Sequence, residues 1–276
     1  MNTKKFFDTH NHSEFSGDSV STVKKSVISA IEMGLGGICF TDHYEFPDSI
    51  AMAREHFIEE QQFNVELQQK VIDEVQIEYP EIKVLKGVEI GYTEERKEEA
   101  KALVKKYPFD QVILSIHQME GLDPWIGEYY KGKTYEEAYG GYLEALYEGM
   151  CNLKDFDAIG HYDYIARYPD YHETAIMYKD FPDLLDEMFK FLIYKGKALE
   201  INTKTYRELR GRTPTIDMNL LKRYKELGGE LICLASDSHS PFKVGDKLDW
   251  AADIVASAGF KYITHFENRK PISLLL

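Results

Sequence analysis

Short apolar runs alternate with amphipathic segments along nearly the whole chain, and this alternation constrains the fold more than any other feature. The strand-like runs are the segment from about Lys4 to His10, GICFTDH (37–43), IKVLKGVEIGY (82–92), QVILSIH (111–117), FDAIGHYD (156–163), KALEIN (197–202) and ELICLASDSH (230–239), with a final short KYITHF (261–266). Between them lie helical patterns. Val23, Val27, Ile28, Ile31 and Met33 share a face ended by glycines, and a long segment from about Ile50 stops at Pro80. Further helices are predicted through EERKEEAKALVKKY, from Thr134 to Gly149, through DLLDEMFKFLIYKG, from Pro214 to Leu227 with proline in its first turn, and from Lys247 to Ala258. About seven strands alternating with helices imply parallel strands joined by right-handed crossovers, in a closed barrel or an open doubly wound sheet. No G-x-G-x-x-G or Walker loop follows any strand, which disfavours a nucleotide-binding open sheet. With no repeat, low-complexity tract or linker, a single domain over 1–276 is expected.

The residues that end these runs give the barrel a chemical rationale. His10 and His12 form an H-x-H at the first strand end, and residues two apart on a strand share a face. His43, Glu89, His117, His161, Asp237 and His239 end later runs. In a (β/α) barrel the C-terminal strand ends meet at one mouth, so ligands far apart in sequence converge there. Imidazole and carboxylate without thiolate suit Zn, Mn, Fe or Co. Cys39, Cys151 and Cys233 are widely spaced, with no C-x-x-C pair, which argues against a disulfide framework or a thiolate site. His56 within a helical pattern and His172 in an irregular stretch read as solvated; His265 is ambiguous.

The formal charge of −14 speaks against nucleic-acid or anionic-membrane partners, and an anionic substrate needs a local positive site that metal ions would supply. There is no signal peptide and no membrane-spanning run, so the cytoplasm is the expected compartment. Nothing in the chain sets an oligomeric state.

Taken in order, D-T-H-N-H followed by Asp18, T-D-H at 41–43, G-V-E at 87–89, S-I-H at 115–117, G-H-Y-D at 160–163, L-E-I-N-T followed by Arg207, and S-D-S-H at 236–239 resemble one family. It is the PHP (polymerase and histidinol phosphatase) family of metallophosphoesterases, in its histidinol-phosphatase type. The resemblance implies a distorted (β/α)7 TIM-like barrel and a centre of two or three divalent ions. It implies that His10, His12, Glu89 and Asp237 hold one ion, that Glu89 bridges to a second held by His117 and His161, and that Asp18, His43 and His239 hold the third. Many relatives have histidine where this chain has Asp18, and a carboxylate makes that site more oxygen-rich. Arg167 and Arg207 match positions that bind phosphate in the family; with Glu89, Asp237 and His239 they form the expected catalytic set. A solvated basic loop of Lys204, Arg207, Arg210 and Arg212 is the plain alternative.

Asp8 and Asp42 are placed to orient imidazoles, and the loop from Gln118 to Lys133, with Glu120, Asp123 and Trp125, to touch the organic part of a substrate. The implied reaction is metal-dependent hydrolysis of L-histidinol phosphate, a small phosphomonoester, to L-histidinol and phosphate in histidine biosynthesis. The competing readings are another PHP phosphomonoesterase or phosphoesterase, an amidohydrolase-like hydrolase, and a noncatalytic metal-binding module.

Overall fold

A computed structural model describes residues 6–48 and 62–276. Strand β1 (Phe7–Asn11) pairs in parallel with β2 (Gly37–Phe40), and β2 with the first half of β4 (Lys83–Gly91). The chain breaks at Thr41–Asp42 and resumes as β3 (His43–Glu45), which pairs with the second half of β4. The sheet continues through β5 (Gln111–Ser115), β6 (Ala158–Ile159), β7 (Ala198–Asn202) and β8 (Ile232–Ala235). These seven parallel strand positions form a nearly closed barrel, the distorted barrel expected from the alternation. The break explains why His43 begins a strand rather than ending one.

Closure between β8 and β1 is irregular, which is where the distortion lies. Thr9 Oγ1 donates to Leu234 O at 3.0 Å, the amide of Asp237 to His10 O at 2.9 Å, and that of His12 to Ser238 O at 2.8 Å. Asp8 completes the seam: its two carboxylate oxygens accept the Ser236 and Gly245 amides, each at 2.8 Å. Asp8 therefore ties strand ends together instead of orienting an imidazole. Asp8→Ala leaves two buried amides unpaired and is expected to cost on the order of 3 kcal/mol, measurable as a lowered midpoint in chemical denaturation.

Helices α1 (Val23–Glu32), α2 (Val65–Glu78), α3 (Lys97–Lys106), α4 (Tyr135–Leu153), α5 (Pro182–Lys195), α6 (Met218–Glu226) and α7 (Leu248–Ser257) follow the strands. Of the expected helix from Ile50, residues 50–61, His56 among them, lie outside the described residues, and the helix begins only at Val65 because Asn64 caps it, accepting the Leu67 amide at 2.9 Å. Helix α4 begins in a Thr134/Glu137 capping box and runs past Gly149, whose bare face lets Tyr92 approach. Helix α6 starts after Asp217, not at Pro214, because Asp217 caps it by accepting the Asn219 amide at 2.9 Å.

The last expected strand is not a barrel member. Strand β9 (Tyr262–Glu267) forms a hairpin with β10 (Lys270–Leu275) through Asn268 and Arg269, both at positive φ as a two-residue hairpin turn requires. Phe266 packs on Ala158, Ala198 and Cys233 at the starts of β6, β7 and β8, and Arg269 pairs with Asp155 and Asp157. The hairpin thus covers the N-terminal end of the barrel. Among the described residues no helix is long and apolar enough to cross a membrane.

Candidate metal centre

Eight of the expected ligands, His10, His12, His43, Glu89, His117, His161, Asp237 and His239, converge at the C-terminal end of the strands, and Asp18 joins them from the loop after β1. Glu89 is the hub. It is fully buried; its Oε1 lies 2.8 Å from His161 Nε2 and 3.3 Å from His117 Nε2. Its Oε2 lies 2.9 Å from His43 Nδ1 and 3.2 Å from His10 Nε2. Each carboxylate oxygen therefore faces its own set of nitrogens. Burial favours the neutral acid, but His10, His117 and His43 outweigh it and hold this carboxyl well below the usual range.

The imidazoles meet in pairs, nitrogen to nitrogen. His10 Nε2 is 3.1 Å from His12 Nε2, His117 Nε2 is 3.2 Å from His161 Nε2, and His43 Nε2 is 3.4 Å from His239 Nε2. Two nitrogens held about 2.1 Å from one tetrahedral ion lie about 3.4 Å apart, so this spacing suits a shared cation. Glu89 Oε2 moreover has no well-formed hydrogen bond despite its burial. The donor set and its spacing fit divalent metal ions.

Asp237 closes the first grouping, with Oδ1 3.3 Å from His12 Nε2. Its backbone is left-handed, φ +48°, a conformation aspartate tolerates better than most residues, and the hydrogen bond from its amide to His10 O holds it there. Asp18 Oδ2 lies 3.0 Å from His239 Nε2 and 3.7 Å from His43 Nε2. It is the most open member: its side chain is 51% exposed. Partial burial opposes its charge, yet His239 and His43 keep its carboxyl well below the usual range. Burial and the His239 and His43 imidazoles push the His12 pKa well down, and burial with Lys204 lowers that of His239.

A surrounding layer sets the ring orientations. His10 Nδ1 is 2.9 Å from Glu200 Oε2, and since a carboxylate only accepts, Nδ1 carries the hydrogen and Nε2 is free to ligate. The other Glu200 oxygen accepts the His161 amide and Asn202 Nδ2. His117 Nδ1 donates in the same way to Glu45 Oε1 at 2.7 Å. His12 Nδ1 meets Ser16 Oγ at 3.0 Å, and that hydroxyl donates to Asp42 at 2.8 Å, so Asp42 acts through a serine. Glu45 lies so tightly over Gly91 that a Cβ there would sit 1.8 Å from its Oε2. Sequence reading passed over Glu45 and Glu200; the only sign was a carboxylate on a strand. Glu200→Gln presents an amide nitrogen to either His10 Nδ1 or the His161 amide, where an acceptor is needed. Metal affinity is expected to fall about 10–100-fold, read by titration against a competing chelator.

A cavity of about 560 Å³ opens over the cluster. Arg167 lines it, with Nη1 donating to the Lys204 and Thr205 carbonyls. Arg207 does not: its Nη2 donates to Ser236 O at 2.8 Å and its Nε pairs with Asp246 at 2.9 Å. The expectation that Arg207 binds phosphate thus meets a guanidinium already engaged behind the mouth. Glu120 likewise turns to Lys133, at 3.1 Å, while Asp123 and Trp125 do line the cavity. His172 is exposed, and His265 stacks on Phe7 as part of the hairpin packing, away from the cluster.

A parallel barrel that gathers imidazoles and carboxylates beneath a cavity at its C-terminal mouth has the architecture of a barrel metalloenzyme. The PHP domain model matches residues 8–204, and the chain belongs to the PHP domain family. It is 34% identical over 275 residues to the histidinol-phosphatase of Lactococcus lactis subsp. lactis, covering 96% of each chain. It is 33% identical over 266 residues to a probable histidinol-phosphatase of Clostridium acetobutylicum, covering 95% of this chain and 97% of that one. The crystal structure of the Lactococcus lactis histidinol phosphate phosphatase, complexed with Zn, L-histidinol and phosphate, superposes with a TM-score of 0.84 at 33% identity, covering 97% of this chain and 99% of that one.

Proposed function

We infer that this chain is a histidinol-phosphatase, a metal-dependent phosphoric monoester hydrolase that converts L-histidinol phosphate to L-histidinol and phosphate. The observation that carries the reading is Glu89, one buried carboxylate placed between two sets of imidazoles of which His43, His117 and His161 line the cavity. The near full-length likeness to the histidinol-phosphatase of Lactococcus lactis supports the choice of substrate. In this reading His10, His12, Glu89 and Asp237 hold one ion, Glu89 with His117 and His161 a second, and Asp18, His43 and His239 a third. Zn is the first candidate because the Lactococcus structure contains it. Such ions bring water to a nucleophilic state near neutral pH and polarise phosphoryl oxygens.

The chain's own residues do the rest. Arg167, fixed by two backbone carbonyls, offers a planar donor to the phosphoryl oxygens as charge spreads over them. Trp125, Ile126, Tyr164, Tyr168 and Leu209 give the cavity an apolar wall for the imidazole of the substrate. Asp123, held by the Trp125 amide at 2.8 Å and the Tyr164 hydroxyl at 2.9 Å, offers a carboxylate to its amine. Arg207 acts indirectly in this scheme, bracing the Ser236 carbonyl next to Asp237. The three cysteines are unpaired, which fits the reducing cytoplasm where histidine is made.

The test is a panel of phosphomonoesters assayed after Zn or Mn loading. Histidinol phosphate is expected to exceed generic esters by at least about tenfold in kcat/KM, equivalent to about 1.4 kcal/mol; equal turnover across the panel would remove the substrate claim.

A further inference from the structure

Lys204, Arg207 and Arg212 follow β7, and the structure separates their fates. Arg207 is held by Asp246 and Ser236 O; Arg212 is held by Asp170 and by the carbonyls of Pro169 and Tyr171. Lys204 instead turns into the cavity, where its Nζ lies 3.0 Å from Asp237 Oδ1 and 3.2 Å from His239 Nδ1. Its backbone is fixed on both sides. The Lys204 amide donates to Asn202 Oδ1 at 3.0 Å, and its carbonyl accepts from Arg167. Thr203 anchors the same turn, donating from its amide to Ala235 O and from its hydroxyl to Asp246 O.

Asp237 is the ammonium's ion-pair partner, but a cation held by Asp237 and His239 would repel it, so a metal-loaded centre favours its moving to an anion in the cavity. The side chain is 30% exposed and lines the cavity, so its ammonium is open to an anion there. Because Arg167 grips the Lys204 carbonyl, the guanidinium and the ammonium belong to one connected unit at the mouth. Lysine acts there as a mobile point charge, where Arg167 acts as a fixed planar fork.

We propose that Lys204 is a phosphoryl-binding residue, whose ammonium, shared with Asp237 in the unliganded chain, contacts the phosphate of the substrate and then of the product beside Arg167. The proposal rests on the histidinol-phosphatase reading for its substrate, but its test is a binding measurement. Inorganic phosphate is titrated calorimetrically into Zn-loaded wild type, Lys204→Met and Lys204→Arg, with Zn counted by mass spectrometry and the fold checked by circular dichroism. Lys204→Met is expected to bind phosphate about tenfold or more weakly at unchanged Zn content, with Lys204→Arg between it and wild type. The KM for histidinol phosphate should rise in parallel. Phosphate affinity within about twofold of wild type in a folded Lys204→Met overturns the proposal. So does a change in Zn content that accounts for the loss, because the lysine would then serve the ions instead. If wild type fails to hydrolyse histidinol phosphate while Lys204→Met still loses phosphate affinity, the substrate reading falls and the phosphate site stands.

Discussion

Glu89→Ala is expected to lower kcat/KM by about a thousandfold or more and to reduce the metal content of the purified protein. Among the described residues Glu89 is the only carboxylate that faces both His10 with His43 and His117 with His161. Removing it takes a buried negative charge from the centre of four imidazoles, which then repel a cation or one another instead of sharing an ion. Ser115 Oγ, which donates to Glu89 at 2.7 Å, loses its acceptor as well. Glu89→Gln separates charge from shape: the amide fills the same space without the charge, and a comparable loss assigns the effect to electrostatics. Atomic absorption alongside steady-state kinetics reads both quantities. Turnover retained at normal metal content would refute the proposed centre.

Stripping the ions with a strong chelator is expected to abolish activity and also to lower thermal stability, and addition of Zn or Mn should restore both. An ion present at a hundred times its dissociation constant stabilises the fold by about 2.7 kcal/mol, which in a chain of this size corresponds to a Tm change on the order of 5–10 °C. The effect is large because the ligands come from both ends of the chain. His10 on β1, His12 just past it, and Asp237 and His239 after β8 flank the seam where the barrel closes by a few isolated bonds. Calorimetry with and without chelator measures it. Acidification should act in the same direction: imidazoles must be neutral to ligate, so protons displace the ions as pH falls towards about 6. A Tm indifferent to chelator would mean that no ion bridges the seam.

Much of this architecture was legible in the sequence. A short apolar run between amphipathic segments is self-contained, so β1, β2, β4, β5, β6, β7 and β8 announced themselves, as did the polar residue at or just past most strand ends. Alternation with helices implied parallel strands, and parallel strands in a barrel deliver their C-terminal ends to one mouth. The ligand types therefore followed from local pattern together with topology. The hairpin β9–β10 did not, because its exposed second strand, KPISLL, has no buried face to impose a period.

Tertiary structure decided what lies one layer out and which cations are free to act. Glu200 reads as an ordinary strand residue until the barrel curves β7 against His10, 190 positions away in sequence. Glu45 matters only because Gly91 lets its carboxylate cross the neighbouring strand to His117. By sequence Arg207 was singled out for phosphate by resemblance, and Lys204 was only a member of the basic loop around it. The fold engages the first with Asp246 and turns the second towards Asp237 and His239. Residue type and strand position determined which side chains can ligate. Partner choice depends on distances between segments remote in sequence, and no local pattern encodes those, so only the closed barrel could set it.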